Sequence, residues 1–196
     1  MSQDKAKCSV ELGDLQSEEE RDVVMELTLP ASGEPVKDCK VVLAKLNYFN
    51  VITSMMEEAT AELLVHREQA GVQQANASVL IQKTRISAVQ ALKEAKDLGE
   101  KGDLARAREI LKKAIADIEK GGLTEENLIK FLLKDLKDIL ESYASDHVFR
   151  AIGSKKAANV FQSNVAQRSQ TSADNAYVTK SKSAMKTASV AAVYKK

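Results

Sequence analysis

Chemistry in this chain would have to come from a small set of side chains, among them two histidines and two cysteines. His66 closes the alternating run Ala59-Thr60-Ala61-Glu62-Leu63-Leu64-Val65-His66, and Cys8 and Cys39 lie in the same N-terminal third. A thiol activated by an imidazole would make a Cys/His hydrolase, but such a site also needs an oxyanion-stabilising glycine loop or a strand-to-helix elbow. Neither flanks these residues. His147, in Ser145-Asp146-His147, follows a helical stretch. The expectation is an edge-strand histidine, a helix-end histidine and no enzyme. Without a CxxC or Cys/His cluster, no zinc site is expected. Cys8 keeps step with Val10 and Leu12, which favours a small buried apolar side chain; a cross-strand disulfide is the open alternative.

The acidic set Asp14, Glu18, Glu19, Glu20 and Asp22 invites a calcium reading. It lacks the alternating oxygen ligands and late bidentate Glu of an EF-hand loop, so a solvated turn that discourages edge pairing is expected. Gly99-Glu100-Lys101-Gly102 has two glycines and follows a helix, which fails a phosphate loop. No metal or cofactor is expected.

Charge leaves one candidate. The chain is nearly neutral at +1, yet after Gly153 the cations Lys155, Lys156, Arg168, Lys180, Lys182, Lys186, Lys195 and Lys196 face only Asp174. Such a basic tail could bind anionic lipid, phosphate backbones or an acidic protein surface. Its lysines are spread among Ser and Ala without interleaved aromatics, which disfavours nucleic-acid recognition. Phosphorylation of its Ser and Thr would cancel the positive charge.

The elements that would position these groups change character along the chain. Period-two alternation marks Cys8–Leu12 and Val23–Leu29, separated by an acidic turn, and then a run with Val42, Ala44, Leu46, Tyr48 and Ile52 on one side. Ala59, Ala61, Leu63 and Val65 form a further stripe, with Ser54–Glu58 as a hairpin connection and a helix from about Thr53 as its competitor. After Gly71 the period becomes helical. One stripe runs Ala77, Ile81, Thr84, Ala88, Leu92, Ala95, Leu98 and ends at Gly99 and Gly102. A second follows the cap Asp103 with Leu104, Ala107, Leu111, Ala114, Ile115 and Ile118, and ends at Gly121-Gly122. A third, capped by Thr124, carries Leu128, Phe131, Leu132, Leu136, Ile139, Leu140 and Tyr143. Short links between them imply antiparallel neighbours. The first helix outruns the second, so Ala77, Ile81, Ala88 and Leu92 are candidates for a partner interface, with burial against the β-rich part as the alternative.

Several stretches resemble a known arrangement. Gly13-Asp14-Leu15, then Glu18-Glu19-Glu20-Arg21-Asp22 and an alternating Val-Met-Leu-Leu run, are similar to a segment that directly follows the von Willebrand factor A domain in certain intracellular proteins, some plant relatives of which add a RING finger. Ala44, Leu46, Tyr48 and Val51, then Leu63-Leu64-Val65-His66-Arg67, continue the likeness. So do Leu98–Ile115 around Gly102-Asp103, Gln167-Arg168, and Tyr177-Val178-Thr179 ahead of Met185. The resemblance implies an accessory β-sandwich-like sheet with a helical extension, working beside a von Willebrand A domain or with itself. That domain's Asp-x-Ser-x-Ser run does not occur here, so its metal-dependent binding is not carried over.

Together these readings predict an α+β fold. A small antiparallel, sandwich-like sheet (1–70) precedes an antiparallel helical hairpin or three-helix layer (71–150) and a partly ordered basic tail (151–196). The expected function is a non-catalytic protein-interaction or scaffold module, self-associating through its long helices. The alternative is an anchor or regulator that binds anionic lipid or nucleic acid through the tail. The N-terminus has no hydrophobic signal core and no apolar run is long enough to span a membrane, so a cytoplasmic setting is expected.

Overall fold

The computed structural model describes residues 7–67, 75–169 and 176–184. It is α+β, with a two-stranded antiparallel sheet followed by a helical region. The chain divides into two compact units: Met25–Ala75, and Met1–Val24 together with Asn76–Lys196. Against the expected limits of 1–70, 71–150 and 151–196, residues 7–24 go with the helices and the stretch after 150 is part of the helical unit.

The first unit is one long hairpin of β1 (Val36–Asn50) and β2 (Met55–Arg67). Val41, Val42, Tyr48 and Phe49 give β1 the β-branched and aromatic content that suits a strand. Met55–Glu58 would favour a helix in isolation, but they pair with Asn50, Phe49, Tyr48 and Asn47. The connection is therefore the four residues 51–54, and the expected turn Ser54–Glu58 lies mostly within β2. Cys8–Leu12 and Val23–Leu29 form no strands, and the described sheet has one layer, so the sandwich expectation is corrected.

Three main helices carry the core of the second unit: α1 (Ala77–Glu100), α2 (Leu104–Lys120) and α3 (Asn127–Ser142). Asn76 caps α1 by accepting from the backbone of Ser78 and Val79, and Asp103 caps α2 by accepting from Arg106. Thr124 does not cap α3; Glu126 holds that position without a side-chain bond. Ala88, Leu92 and Ala95 of α1 pack with Leu111, Ile115, Leu136 and Ile139 in one contiguous core. A single turn, α4 (Asp146–Val148), runs through a π-helical turn at Phe149–Gly153 into α5 (Ser154–Ala166). That last helix falls in the stretch expected to be a loose tail. It buries Ala157, Ser163 and Asn164, and its small residues let it pack on α1.

Gly99 sits inside α1 as a contact point. A Cβ there would lie 2.6 and 2.7 Å from the Phe149 ring, itself buried edge-on to Tyr143 with centroids 4.9 Å apart. An exposed mid-helix Gly→Ala usually stabilises by up to about 1 kcal/mol. Here overpacking reverses the sign, and Gly99→Ala is expected to lower stability by about 1–3 kcal/mol in thermal or urea unfolding. Tyr143 gives the opposite expectation. Its hydroxyl is buried with no hydrogen-bond partner among the described residues, and burial pushes its pKa up to about 12. Tyr143→Phe should leave stability unchanged or raise it by up to about 1 kcal/mol, read as a shift in urea midpoint.

Candidate interaction surface

The hairpin register sorts its side chains into two unlike faces. Val42↔Leu63, Ala44↔Ala61, Leu46↔Ala59, Tyr48↔Glu57 and Asn50↔Met55 are direct partners, and directly opposite residues share a face. Cys39 and Val65 extend the same face. Both stripes seen in the sequence therefore coincide, and they form one apolar surface. The other face carries the ion pairs Lys40–Glu62 and Lys45–Glu58 among Leu43, Leu64, Phe49 and Met56.

The apolar face is open. Leu46, Tyr48, Leu63 and Met55 are 42%, 39%, 50% and 60% exposed, and no described residue of either strand is fully buried. Its polar members are satisfied within the hairpin. The Glu57 carboxylate accepts from Tyr48 Oη (2.5 Å), Asn50 Nδ2 (2.9 Å) and Thr53 Oγ1 (2.9 Å). Asn50 Oδ1 accepts from the backbone N–H of Ile52, and Ser54 takes a left-handed φ of 54°. Led by the Tyr48 hydroxyl, these donors lower the Glu57 pKa, and the carboxylate in turn raises that of Tyr48. The network fixes the turn while Val51 and Ile52 project almost fully into solvent.

The candidate residues named from sequence fall elsewhere. Ala88 and Leu92 are core, Ile81 packs at its margin, and only Ala77 is exposed. The α1 stripe is covered by α2, α3 and α5. Among the basic residues, Lys155 and Lys156 are exposed on α5, with Lys156 3.8 Å from Asp138. Arg168 instead grips Glu19 with two donors at 2.8 Å and reaches the Asp14 carbonyl at 2.6 Å. Lys182 lies 3.5 Å from Glu19. Lys180 is exposed, and Lys186 lies outside the described residues.

The acidic turn thus belongs to a clasp. Glu19, with its side chain 3% exposed, meets Arg168, Arg21 and Lys182. Glu18 accepts from the backbone and hydroxyl of Ser181. Asp22 and Gln167 exchange backbone-to-amide bonds at 2.8 and 2.9 Å. Among the described residues no group of three or more His, Cys, Asp and Glu side chains is placed to hold a metal. His66 accepts from the Asp38 backbone, His147 is exposed, and Cys8 is exposed rather than buried. Both cysteines are free thiols. None of the described helices is long and apolar enough to cross a membrane.

Comparison with known families decides the affiliation. The profile described as CPSF6-like, RSLD domain, N-terminal region matches residues 75–186, more than half of the chain. The chain belongs to the CPSF6-like RSLD domain family. The match begins where the helical unit begins and leaves the hairpin outside it. It overturns the resemblance to a von Willebrand A-associated accessory region and removes the reason for expecting a von Willebrand A domain as partner. The motifs behind that resemblance are short, and the strand it required at 23–29 is not formed. Among curated proteins nothing matches. No solved structure matches either.

Proposed function

We propose that this CPSF6-like RSLD chain is a non-catalytic protein-interaction module. The helical unit acts as its scaffold and the apolar hairpin face as its recognition surface. The observation that carries this reading is the combination of an exposed, largely apolar strand face, whose one carboxylate is held within the hairpin, with an opposite face that carries two ion pairs. A two-stranded ribbon is marginal in water by itself, and an exposed apolar patch of this kind marks a contact surface. Family membership supports the scaffold half of the reading, since the match spans the helices.

Binding of an apolar fluorescent dye tests the surface. The chain in dilute solution should bind the dye, and Leu46→Lys combined with Leu63→Glu should lose most of that signal. Thermal unfolding of the helices should stay unchanged, because neither residue belongs to their core. Equal dye binding by the variant would contradict the assignment.

A further inference from the structure

The apolar face has a shape as well as a polarity. Leu46 stands beside Ala59 across the strands, and the next pair along the ribbon is Ala44 with Ala61. A single large side chain therefore borders a hollow lined by Ala44, Ala59 and Ala61. Larger residues close the hollow on both sides, Val42 and Leu63 toward the base and Tyr48 and Glu57 toward the turn. A knob adjoining a hollow of about its own size is self-complementary under a two-fold axis, because each knob can fill the other copy's hollow.

Charge and area point the same way. The sole ionisable carboxylate on this face between Val42 and Met55, that of Glu57, is held by three donors of its own hairpin. Tyr48–Met56 contains no charged residue. Two such faces meet with one carboxylate each, hydrogen-bonded within its own hairpin, and no other charge lies on them between Val42 and Met55. At about 200 Å² for a large side chain, the exposed fractions of Leu46, Tyr48, Leu63 and Met55 amount to roughly 400 Å². The three alanines with Val42 and Val65 bring the face to roughly 600 Å², so two copies would bury roughly 1,200 Å², the lower edge of the range for specific interfaces. An anionic lipid surface fits less well, since Glu57 and Glu58 border the uncharged tip and no Lys or Arg lies between Lys45 and Arg67.

We propose that a second copy of this chain occupies the face, giving a closed two-fold homodimer in which Leu46 of each copy fills the Ala44–Ala59–Ala61 hollow of the other. This rests on the docking role assigned to the hairpin and names its occupant. The dimer would be of moderate affinity, set by two knobs and a small apolar area.

Light scattering across a concentration series of the full chain tests it, with apolar-dye binding recorded in parallel. The expected result is a monomer–dimer equilibrium in which the dye signal per chain falls as dimer forms. The deciding variant is the exchange Leu46→Ala with Ala59→Leu. It keeps the composition of the face and moves the knob to the neighbouring strand, and it should weaken dimerisation about tenfold or more. Leu46→Lys should abolish it, and circular dichroism reports whether each variant keeps its helices. A wild-type monomer at all concentrations that still binds the dye would overturn the second copy and leave the docking surface standing. A monomer that binds no dye would overturn both. Open-ended larger species, or an exchange variant that dimerises like the wild type, would overturn the knob-and-hollow dimer.

Discussion

Glu19→Gln is expected to release both flanking segments of the helical unit at once. Residues 14–22 and 177–184 supply none of the core hydrophobics, and the Glu19 carboxylate is the point on which Arg21, Arg168 and Lys182 converge. Burial works against its charge, but the Arg168 guanidinium, the Gln16 backbone N–H and Arg21 more than offset this and hold its pKa down to about 2. Removing the charge leaves these cations facing one another around a neutral amide, and breaking one partner of a desolvated ion pair costs more than the pair contributes. Amide hydrogen exchange in both segments should quicken by at least about tenfold, and trypsin should cut faster after Arg21 and Arg168. Amides of Leu132–Ile139 should be unaffected. Unchanged exchange at Ser181 and Asp22 would show that the clasp is not held by Glu19.

The second large effect is on pH dependence, and it runs against the habit of stability peaking near neutrality. Asp135 on α3 is half-buried, and burial first, then the neighbouring Asp138, raises its pKa from 3.8 to about 6. Below about pH 4 the carboxyl is protonated in both folded and unfolded chains. Between about 4 and 6 the folded state keeps a proton that the unfolded state has released, so stability falls as pH rises through this window and stays lower above it. Asp135 is partly exposed, and solvent screening reduces what this displacement is worth to about 1–2 kcal/mol. Glu19 acts in the opposite sense. Its pKa is depressed from 4.5, so its contribution is present above about pH 4.5 and lost as pH falls toward 2. The summed contribution of these two groups is greatest near pH 4–5. Asp135→Asn should add about 1 kcal/mol at pH 7.5 and almost nothing at pH 3.5 in urea unfolding. An equal effect at both pH values would mean that ionisation of Asp135 is not the cause.

The helices were legible because their evidence is local. Ala88, Leu92 and Ala95, or Leu111, Ile115 and Ile118, repeat at helical spacing, and Gly102, Asp103 and Gly122 punctuate them. The close of α1 beside Gly99 and Gly102 is legible too, but not the packing at Gly99, which admits the Phe149 ring from 50 residues away. The hairpin was half legible. Its two apolar stripes were visible, but only the register Leu46↔Ala59 reveals that they share a face. The stretch at Ser154–Ala166 looked too polar to pack, yet Ala157 is buried, and Arg85 of α1 donates to the Asn164 carbonyl at 2.6 Å. Arg168 and Lys182 read as free tail cations because their acid partner lies about 150 residues earlier. Pairings at that separation leave no periodic trace in a sequence.

Two features divide the labour in this chain. The family match covers the helices, whose apolar stripes are spent on their own core, while the hairpin keeps its apolar face open. Photo-crosslinking tests that division most directly, with a photoreactive residue placed in the full chain at position 46 on the apolar face or at position 45 on the charged face. Intermolecular adducts, to a partner protein or to a second copy, are expected from position 46 and few from position 45. Equal yields from both positions, or adducts from position 46 confined to the chain's own helices, would contradict that division.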